Sequence, residues 1–307
     1  MLKDQNGNKI LKKSFRKHEV GDRFELDNEK PGNITIGVIG TGLLGSQISQ
    51  YMLEYGYPTV IKTRSEGSKQ LIFDKIKKKL GKKLTEEEVD KTLEKLQITI
   101  DYQDLKTCDL IIEASAEEIE VKKEIFQDLS QICRPETIFA TNTSSLSIDE
   151  IAKSTDRPDK CIGMHFFNPV HKMDLIEIVI GEKTSYETKD AVVSLSTDIN
   201  KKPIVVKNGP GFIVNRYLLP QINEAILMLE EGAASKEDID SAIKLGLNHP
   251  MGPFELADFI GLDICVSILE VLSKGLGPER VKPAKLLYKM VEEGKLGHKS
   301  GEGFYKY

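Results

Sequence analysis

No stretch of this sequence approaches the ~20 consecutive apolar residues that a membrane-spanning helix requires, so no span is expected. The four cysteines, Cys108, Cys133, Cys161 and Cys265, are scattered and form no C-x-x-C. They are expected to be reduced core or near-surface thiols in a cytoplasmic protein, and no metal site is expected. An excess of positive charge is also lacking. Lys and Arg number 43 against 48 Asp and Glu, a formal net charge of -5, which argues against general nucleic-acid binding. Any anionic ligand must then be held by local positive features. The N-terminus, MLKDQNGNKILKKSF, lacks the apolar core of a signal peptide, and its Asp4 and polar residues do not suit a transit peptide. What is present, 307 residues with 39% hydrophobic and 30% charged content, suits a soluble globular protein of about two domains.

The most informative stretch is NITIGVIGTGLLGS, residues 33–46. Ile34, Ile36, Val38 and Ile39 form an apolar run into Gly40-Thr41-Gly42-Leu43-Leu44-Gly45, and Ile48, Met52 and Leu53 then recur at helical spacing. Strand, G-x-G-x-x-G and amphipathic helix in that order form a dinucleotide-binding βαβ fingerprint. Gly40 permits the tight turn, Gly42 the approach of a pyrophosphate, and Gly45 the close packing of helix on strand. The N–H groups and dipole of the helix that begins at Leu43 and Leu44 would hold the phosphates. The second strand is expected at Thr59–Lys62, after the turn at Gly56-Tyr57-Pro58. At its end, where an NAD enzyme usually places Asp or Glu on the adenosine ribose, this chain has Thr63, Arg64 and Ser65. A carboxylate would repel a 2′-phosphate, whereas Arg and Ser can bond one. NADP(H) is therefore expected over NAD(H).

Polar residues 1–32 form an N-terminal extension in which Ile10, Leu11, Phe15, Val20, Phe24 and Leu26 allow a short strand or helix; no function is assigned to it. Residues 67–97 carry two helical patterns, broken near Gly81, with Thr85 as the cap of the second. The first bears Lys75, Lys77, Lys78, Lys79, with Lys82 and Lys83 just beyond: either a polyphosphate site or a solvated face. Short apolar runs then alternate with helical patterns through Val206, which indicates a Rossmann-type doubly wound, mostly parallel α/β sheet. Asn208-Gly209-Pro210-Gly211 is a strong turn signal. Residues 33–209 are expected to form the dinucleotide-binding domain and 210–307 an all-helical substrate or dimerisation domain, with helical segments at 212–231, 235–246, 252–273 and 282–293.

His165 follows one apolar strand and Glu177 lies in the next apolar run. A carboxylate beside an imidazole fixes its tautomer and suits it to act as general base in alcohol oxidation; a structural histidine is the plainer alternative. Ser144 follows a strand, with the cap of a helix beginning near Ser147 as its plainer alternative; Asn215 lies in the first turn of a helix, with a simple N-terminal polar residue as its alternative.

The segments TNTSSL (141–146), GMHFFNPV (163–170), LIEIV (175–179), GPGFIVNR (209–216), MGPFELADFIGLD (251–263) and GHKSGEGFY (297–305) closely resemble the 3-hydroxyacyl-CoA dehydrogenase family, in its stand-alone, 3-hydroxybutyryl-CoA dehydrogenase type. The resemblance runs from about Ile34 to the C-terminus. It implies His165 as catalytic base, Glu177 as its orienting carboxylate, and Ser144 and Asn215 as hydrogen-bonding partners of the reacting C3 oxygen. It also implies cofactor or CoA contacts at Glu117, Lys122, Asn142 and Asn168, a further cofactor contact at Lys299, and a CoA nucleotide clamp in the lysine-rich helix. A homodimer is expected from the family, with an acyl-CoA thioester as substrate. Phe254, Leu256 and Phe259 are candidates to line an acyl pocket, or to serve as core or interface. The family usually has Asp where this chain has Thr63, so the departure bears on coenzyme preference alone. The alternatives are a dehydrogenase of a free hydroxy acid or sugar acid, and a non-catalytic relative. The chain is too short for a fused hydratase domain to be expected.

Overall fold

The computed structural model describes residues 34–307, so the strand or helix expected within residues 1–32 lies outside the described residues. Along the chain come β1 (Ile36–Ile39), α1 (Leu43–Glu54), β2 (Thr59–Lys62), α2 (Glu66–Leu80), α3 (Glu86–Leu93), β3 (Leu96–Thr99), β4 (Leu110–Glu113), α4 (Ile119–Ile132), β5 (Ile138–Thr141), α5 (Ile148–Ala152), β6 (Cys161–Phe166), β7 (Leu175–Ile180), α6 (Tyr186–Asp198) and β8 (Lys202–Lys207). Five helices follow: α7 (Val214–Glu230), α8 (Lys236–Leu247), α9 (Pro253–Ile260), α10 (Leu262–Leu276) and α11 (Lys285–Glu292). No helix among the described residues is long and apolar enough to cross a membrane.

The sheet has the order β3-β2-β1-β4-β5-β6-β7-β8. Its pairings are parallel except for β6 with β7. β1, β4 and β5 are buried on both faces, which is why they read as continuous apolar runs rather than as alternating ones. Strand order reverses between β1 and β4, and ligands of such sheets bind outside the carboxyl ends at that point. The glycine turn after β1 and Glu113 at the end of β4 are the residues found there.

The helix boundaries follow local chemistry. α2 stops at Gly81, and α3 begins with a reciprocal capping box between Thr85 and Glu88. The helical pattern over 252–273 proves to be two helices, because Gly261 adopts a φ of +106° between α9 and α10. A left-handed residue there turns the chain without steric cost only if it is glycine.

The chain forms two compact units. The first holds the sheet, with the residues through Thr143 and Ser147–Asn208; the second holds Ser144–Leu146 and Gly209–Tyr307. Ile36, Val38, Ile112, Ala140, Met164 and Ile178 belong to the core of the first. In the second, Leu219, Phe254, Leu269 and Leu287 are fully buried together. Two buried carboxylates fasten the C-terminal segment of the second unit. Asp258 accepts the backbone N–H groups of Phe304 and Tyr305, each at 2.9 Å, and the Tyr307 hydroxyl at 3.0 Å. Asp240 accepts the Tyr305 hydroxyl at 2.9 Å and the Phe254 N–H at 2.8 Å, and burial raises its pKa.

Candidate active site

The three glycines of the turn are held by different constraints. Gly40 has φ +103°, and a Cβ there would lie 2.3 Å from the Ala114 carbonyl oxygen. A Cβ on Gly45 would lie 2.0 Å from the carbonyl oxygen of Gly40. Gly42 differs: its φ of -64° is open to any residue, and a Cβ would meet nothing within 4 Å. The protein's own packing therefore does not require glycine at 42, whereas a ligand lying against the backbone would. α1 begins there with no side-chain cap and no acidic residue in its first turn, so its positive end is uncompensated. These residues fit a dinucleotide pyrophosphate, with Leu43 and Leu44 supplying the first N–H groups of the helix.

At the end of β2 the Thr63 N–H donates to the Thr99 carbonyl at 2.8 Å. The Thr63 side chain is buried, and its hydroxyl has no hydrogen-bond partner among the described residues. Arg64 and Ser65 are exposed. Ser65 stands at the N-cap of α2, but its hydroxyl meets that of Ser68 at 2.9 Å and caps no backbone group. The Lys62 ammonium lies 4.2 Å from the centre of the Tyr102 ring. Burial, and then the Arg64 charge, hold its pKa below the usual lysine value. In the lysine-rich segment, Lys77 pairs with Asp90 and Lys83 with Glu54. Lys79 has its pKa lowered by burial and by the charges of Lys75 and Lys82.

The end of β4 carries a buried ionic cluster. Glu113, fully buried, accepts the Ser115 N–H and hydroxyl at 2.6 Å each and the Thr141 hydroxyl at 2.7 Å. The Lys122 ammonium donates to both of its oxygens at 2.9 Å. Lys122 is itself 1% exposed and lies 3.5 Å from Glu117. Glu117 in turn accepts the Thr143 hydroxyl at 2.6 Å. Lys122 thus sits beneath Glu117, bonded to protein carboxylates, and Glu117 is the more exposed of the two. Sequence reasoning missed Glu113, although a carboxylate adjoining apolar strand residues is close to the signal that singled out Glu177 within its run.

β6 and β7 supply the imidazole and its carboxylate. His165, expected just beyond a strand, lies within β6, and the antiparallel register sets it directly opposite Glu177. Neighbouring residues Ile162, Met164, Phe166, Ile176 and Ile178 join the core cluster, which by strand alternation turns His165 and Glu177 to the other face. The His165 Nδ1 and Glu177 Oε2 are 2.7 Å apart, with residues 6% and 1% exposed. A carboxylate accepts, so Nδ1 carries the proton and Nε2 carries the lone pair. The Phe167 ring lies 4.4 Å from the imidazole, centre to centre. Asn142, 7% exposed, uses its side-chain oxygen to accept the Phe166 N–H at 2.9 Å, which ties the end of β5 to the end of β6. Asn168 is exposed in the following loop.

In the second unit, the Asn215 side-chain amide donates to the Ser144 carbonyl at 3.1 Å, bringing together two residues 71 positions apart. Ser144 does not cap the following helix, since the Ser147 hydroxyl accepts the Glu150 N–H in that role. Lys299 pairs with Asp263. Phe254 is a core residue: it is fully buried against Phe304, at 4.6 Å between ring centres, and cannot line an open pocket. Leu256 is partly buried at the edge of that core, and Phe259 is half-exposed beside His298.

Comparison with known proteins finds one family over most of the chain. Residues 35–209 match the 3-hydroxyacyl-CoA dehydrogenase NAD binding domain, and residues 211–307 match the C-terminal domain of the same family. A 3-hydroxybutyryl-CoA dehydrogenase of Clostridioides difficile is 48% identical over 277 residues, 89% of this chain and 99% of that protein. The mitochondrial hydroxyacyl-coenzyme A dehydrogenase of Homo sapiens is 42% identical over 284 residues, 89% of this chain and 90% of its own. Among solved structures, the (S)-3-hydroxybutyryl-CoA dehydrogenase of Ralstonia eutropha superposes with a TM-score of 0.86 at 42% identity, covering 90% of this chain and 99% of that one. The chain belongs to the 3-hydroxyacyl-CoA dehydrogenase family.

Proposed function

We propose that the chain interconverts (S)-3-hydroxybutyryl-CoA and acetoacetyl-CoA by hydride transfer between substrate C3 and a nicotinamide dinucleotide. The observation that carries this reading is the buried His165–Glu177 pair at 2.7 Å. Gly40, Gly42 and Gly45 would hold the dinucleotide, which when bound would supply the hydride donor or acceptor. In oxidation Nε2 of His165 takes the hydroxyl proton as hydride leaves C3; in reduction the imidazolium returns it. Glu177 fixes the tautomer and stabilises the imidazolium. Ser144 and Asn215 hold the C3 oxygen and offset its developing charge. Glu117, Asn142, Asn168 and Lys299 are assigned to the cofactor, and Lys122 to support of Glu117.

The substrate's nucleotide end is assigned to the lysines of α2 and the turn after it. Burial, and then the charges of Lys75 and Lys82, depress the Lys79 pKa there, and a bound phosphate would offset the like-charge part. NADP(H) is the preferred coenzyme on this reading. Position 63 carries no carboxylate, Arg64 is exposed, and α2 begins beside it with no side-chain cap. The four unpaired cysteines suit a reducing, cytoplasmic setting. A homodimer through the helical unit is favoured by Tyr217, Leu245 and Leu247, which are 70%, 86% and 60% exposed.

The test is steady-state reduction of acetoacetyl-CoA with NADPH and NADH side by side, with oxidation of 3-hydroxybutyryl-CoA compared with that of free 3-hydroxybutyrate. The expected result is a higher kcat/KM with NADPH and turnover of the thioester only. Equal use, or preference for NADH, overturns the coenzyme assignment. Turnover of the free acid instead overturns the substrate.

A further inference from the structure

Gln47 reaches from the start of α1 to the loop that follows β6. Its side-chain oxygen accepts the Val170 N–H at 2.9 Å, and its side-chain nitrogen donates to the side-chain oxygen of Asn168 at 2.9 Å. The two bonds form a chain of forced choices. A backbone N–H can only donate, so it must face the oxygen of the Gln47 amide, and the NH2 of Gln47 is left for Asn168. An NH2 can only donate, so it must meet the oxygen of the Asn168 amide. The NH2 of Asn168 is thereby turned away from α1 and presented outward.

The anchor of this chain is firm. Val170 is 1% exposed within the core cluster. Its carbonyl accepts the buried Lys201 ammonium at 2.5 Å, and that of Met173 does so at 2.9 Å. The loop is thus held from β8's side as well as from α1. Asn168 itself is exposed, with its amide orientation determined by its neighbours.

We propose that Gln47 is a positioning residue that fixes Asn168 as a hydrogen-bond donor toward an acceptor oxygen of the bound dinucleotide. The glycine turn that receives the pyrophosphate and the loop beyond the His165 strand then share one amide clamp. This rests on the assignment of Asn168 to the cofactor made above.

Gln47→Glu separates orientation from folding. The introduced carboxylate still accepts the Val170 N–H, but it offers Asn168 only an acceptor, so the Asn168 amide must turn its NH2 inward and its oxygen outward. The readout is the dissociation constant of reduced coenzyme, followed by nicotinamide fluorescence, in the parent, Gln47→Glu, Asn168→Ala and the double variant, with melting temperatures alongside. The expected result is binding weakened roughly tenfold by Gln47→Glu, a loss of about 1.4 kcal/mol, and no further weakening when it is added to Asn168→Ala. An equal penalty in both backgrounds reports only the added charge and overturns the role of Gln47. Coenzyme binding unchanged by Gln47→Glu overturns it too. An Asn168→Ala protein that binds coenzyme as the parent does overturns the assignment of Asn168, and the inference with it. Gln47→Ala, which removes both bonds, serves as the second variant: it is expected to weaken binding less than Gln47→Glu, because Asn168 is then released rather than reversed.

Discussion

His165 and Glu177 are both nearly excluded from water, and each supplies what the other needs. A buried carboxylate is costly unless hydrogen-bonded, and a buried imidazole acts as a base only if the cation it becomes is stabilised. Replacing His165 with glutamine keeps a polar side chain but removes the group that accepts the proton. General-base catalysis is typically worth ~10²–10⁴-fold, so kcat for acetoacetyl-CoA reduction should fall roughly a hundredfold or more in His165→Gln. Near-normal kcat would refute the role. Glu177→Gln retains an acceptor for Nδ1–H and loses the charge. A hydrogen bond to a charged group contributes about 1.5–3 kcal/mol, which corresponds to a fall of roughly ten- to a hundredfold in kcat. The fall should appear in kcat more than in KM for the thioester, because the charge acts when the imidazolium forms.

At the scale of elements, the glycine turn separates two kinds of necessity. Gly45→Ala sets a methyl group against the backbone of the same turn and should destabilise by about 1–3 kcal/mol, the usual cost of overpacking, read from urea unfolding. Gly42→Ala meets nothing in the protein. It should unfold within about 0.5 kcal/mol of the parent, as an unobstructed surface substitution does, while binding coenzyme roughly tenfold or more weakly. Equal losses of stability in the two variants would contradict this division. The β1–turn–α1 unit was legible in the sequence because its signal, an apolar run, spaced glycines and helical periodicity in succession, is carried by contiguous residues. The candidates His165, Glu177, Ser144 and Asn215 were legible as residue types. Glu177 was legible as the partner of His165; the register that sets them opposite and the bond from Asn215 to the Ser144 carbonyl were not, since strand register and bonds across 71 positions leave no trace in spacing. Gln47 escaped for the same reason: an uncharged residue on a helix reveals nothing until the loop it meets, 121 positions on, is in view. The division of 252–273 at Gly261 was obscured because apolar spacing continues across the break. Periodicity leaves Phe254 open between pocket, core and interface because it does not separate a core face from a lined one; its burial selects the core.

Across the whole molecule, all four cysteines are buried. Burial pushes Cys108, Cys161 and Cys265 up to about 12 and Cys133 up to about 11. The thiolate is the reactive form, and at pH 8 it should amount to no more than roughly one part in a thousand at any of them. A disulfide reagent at pH 8 should therefore titrate none of the four in the native protein and all four in denaturant; rapid reaction of the native protein would contradict their burial. The division of the chain into two units has its own consequence. Because Ser144–Leu146 belongs with the helical unit while the residues on either side belong with the sheet, the backbone crosses between the units at more than one point, and no single cleavage separates them. A protease nick between Asn208 and Gly209 would leave the carbonyl that Asn215 uses on the other fragment. Two such fragments, expressed apart, would each be short of something only the other carries, so the helical half is better suited to complementation than to independent life.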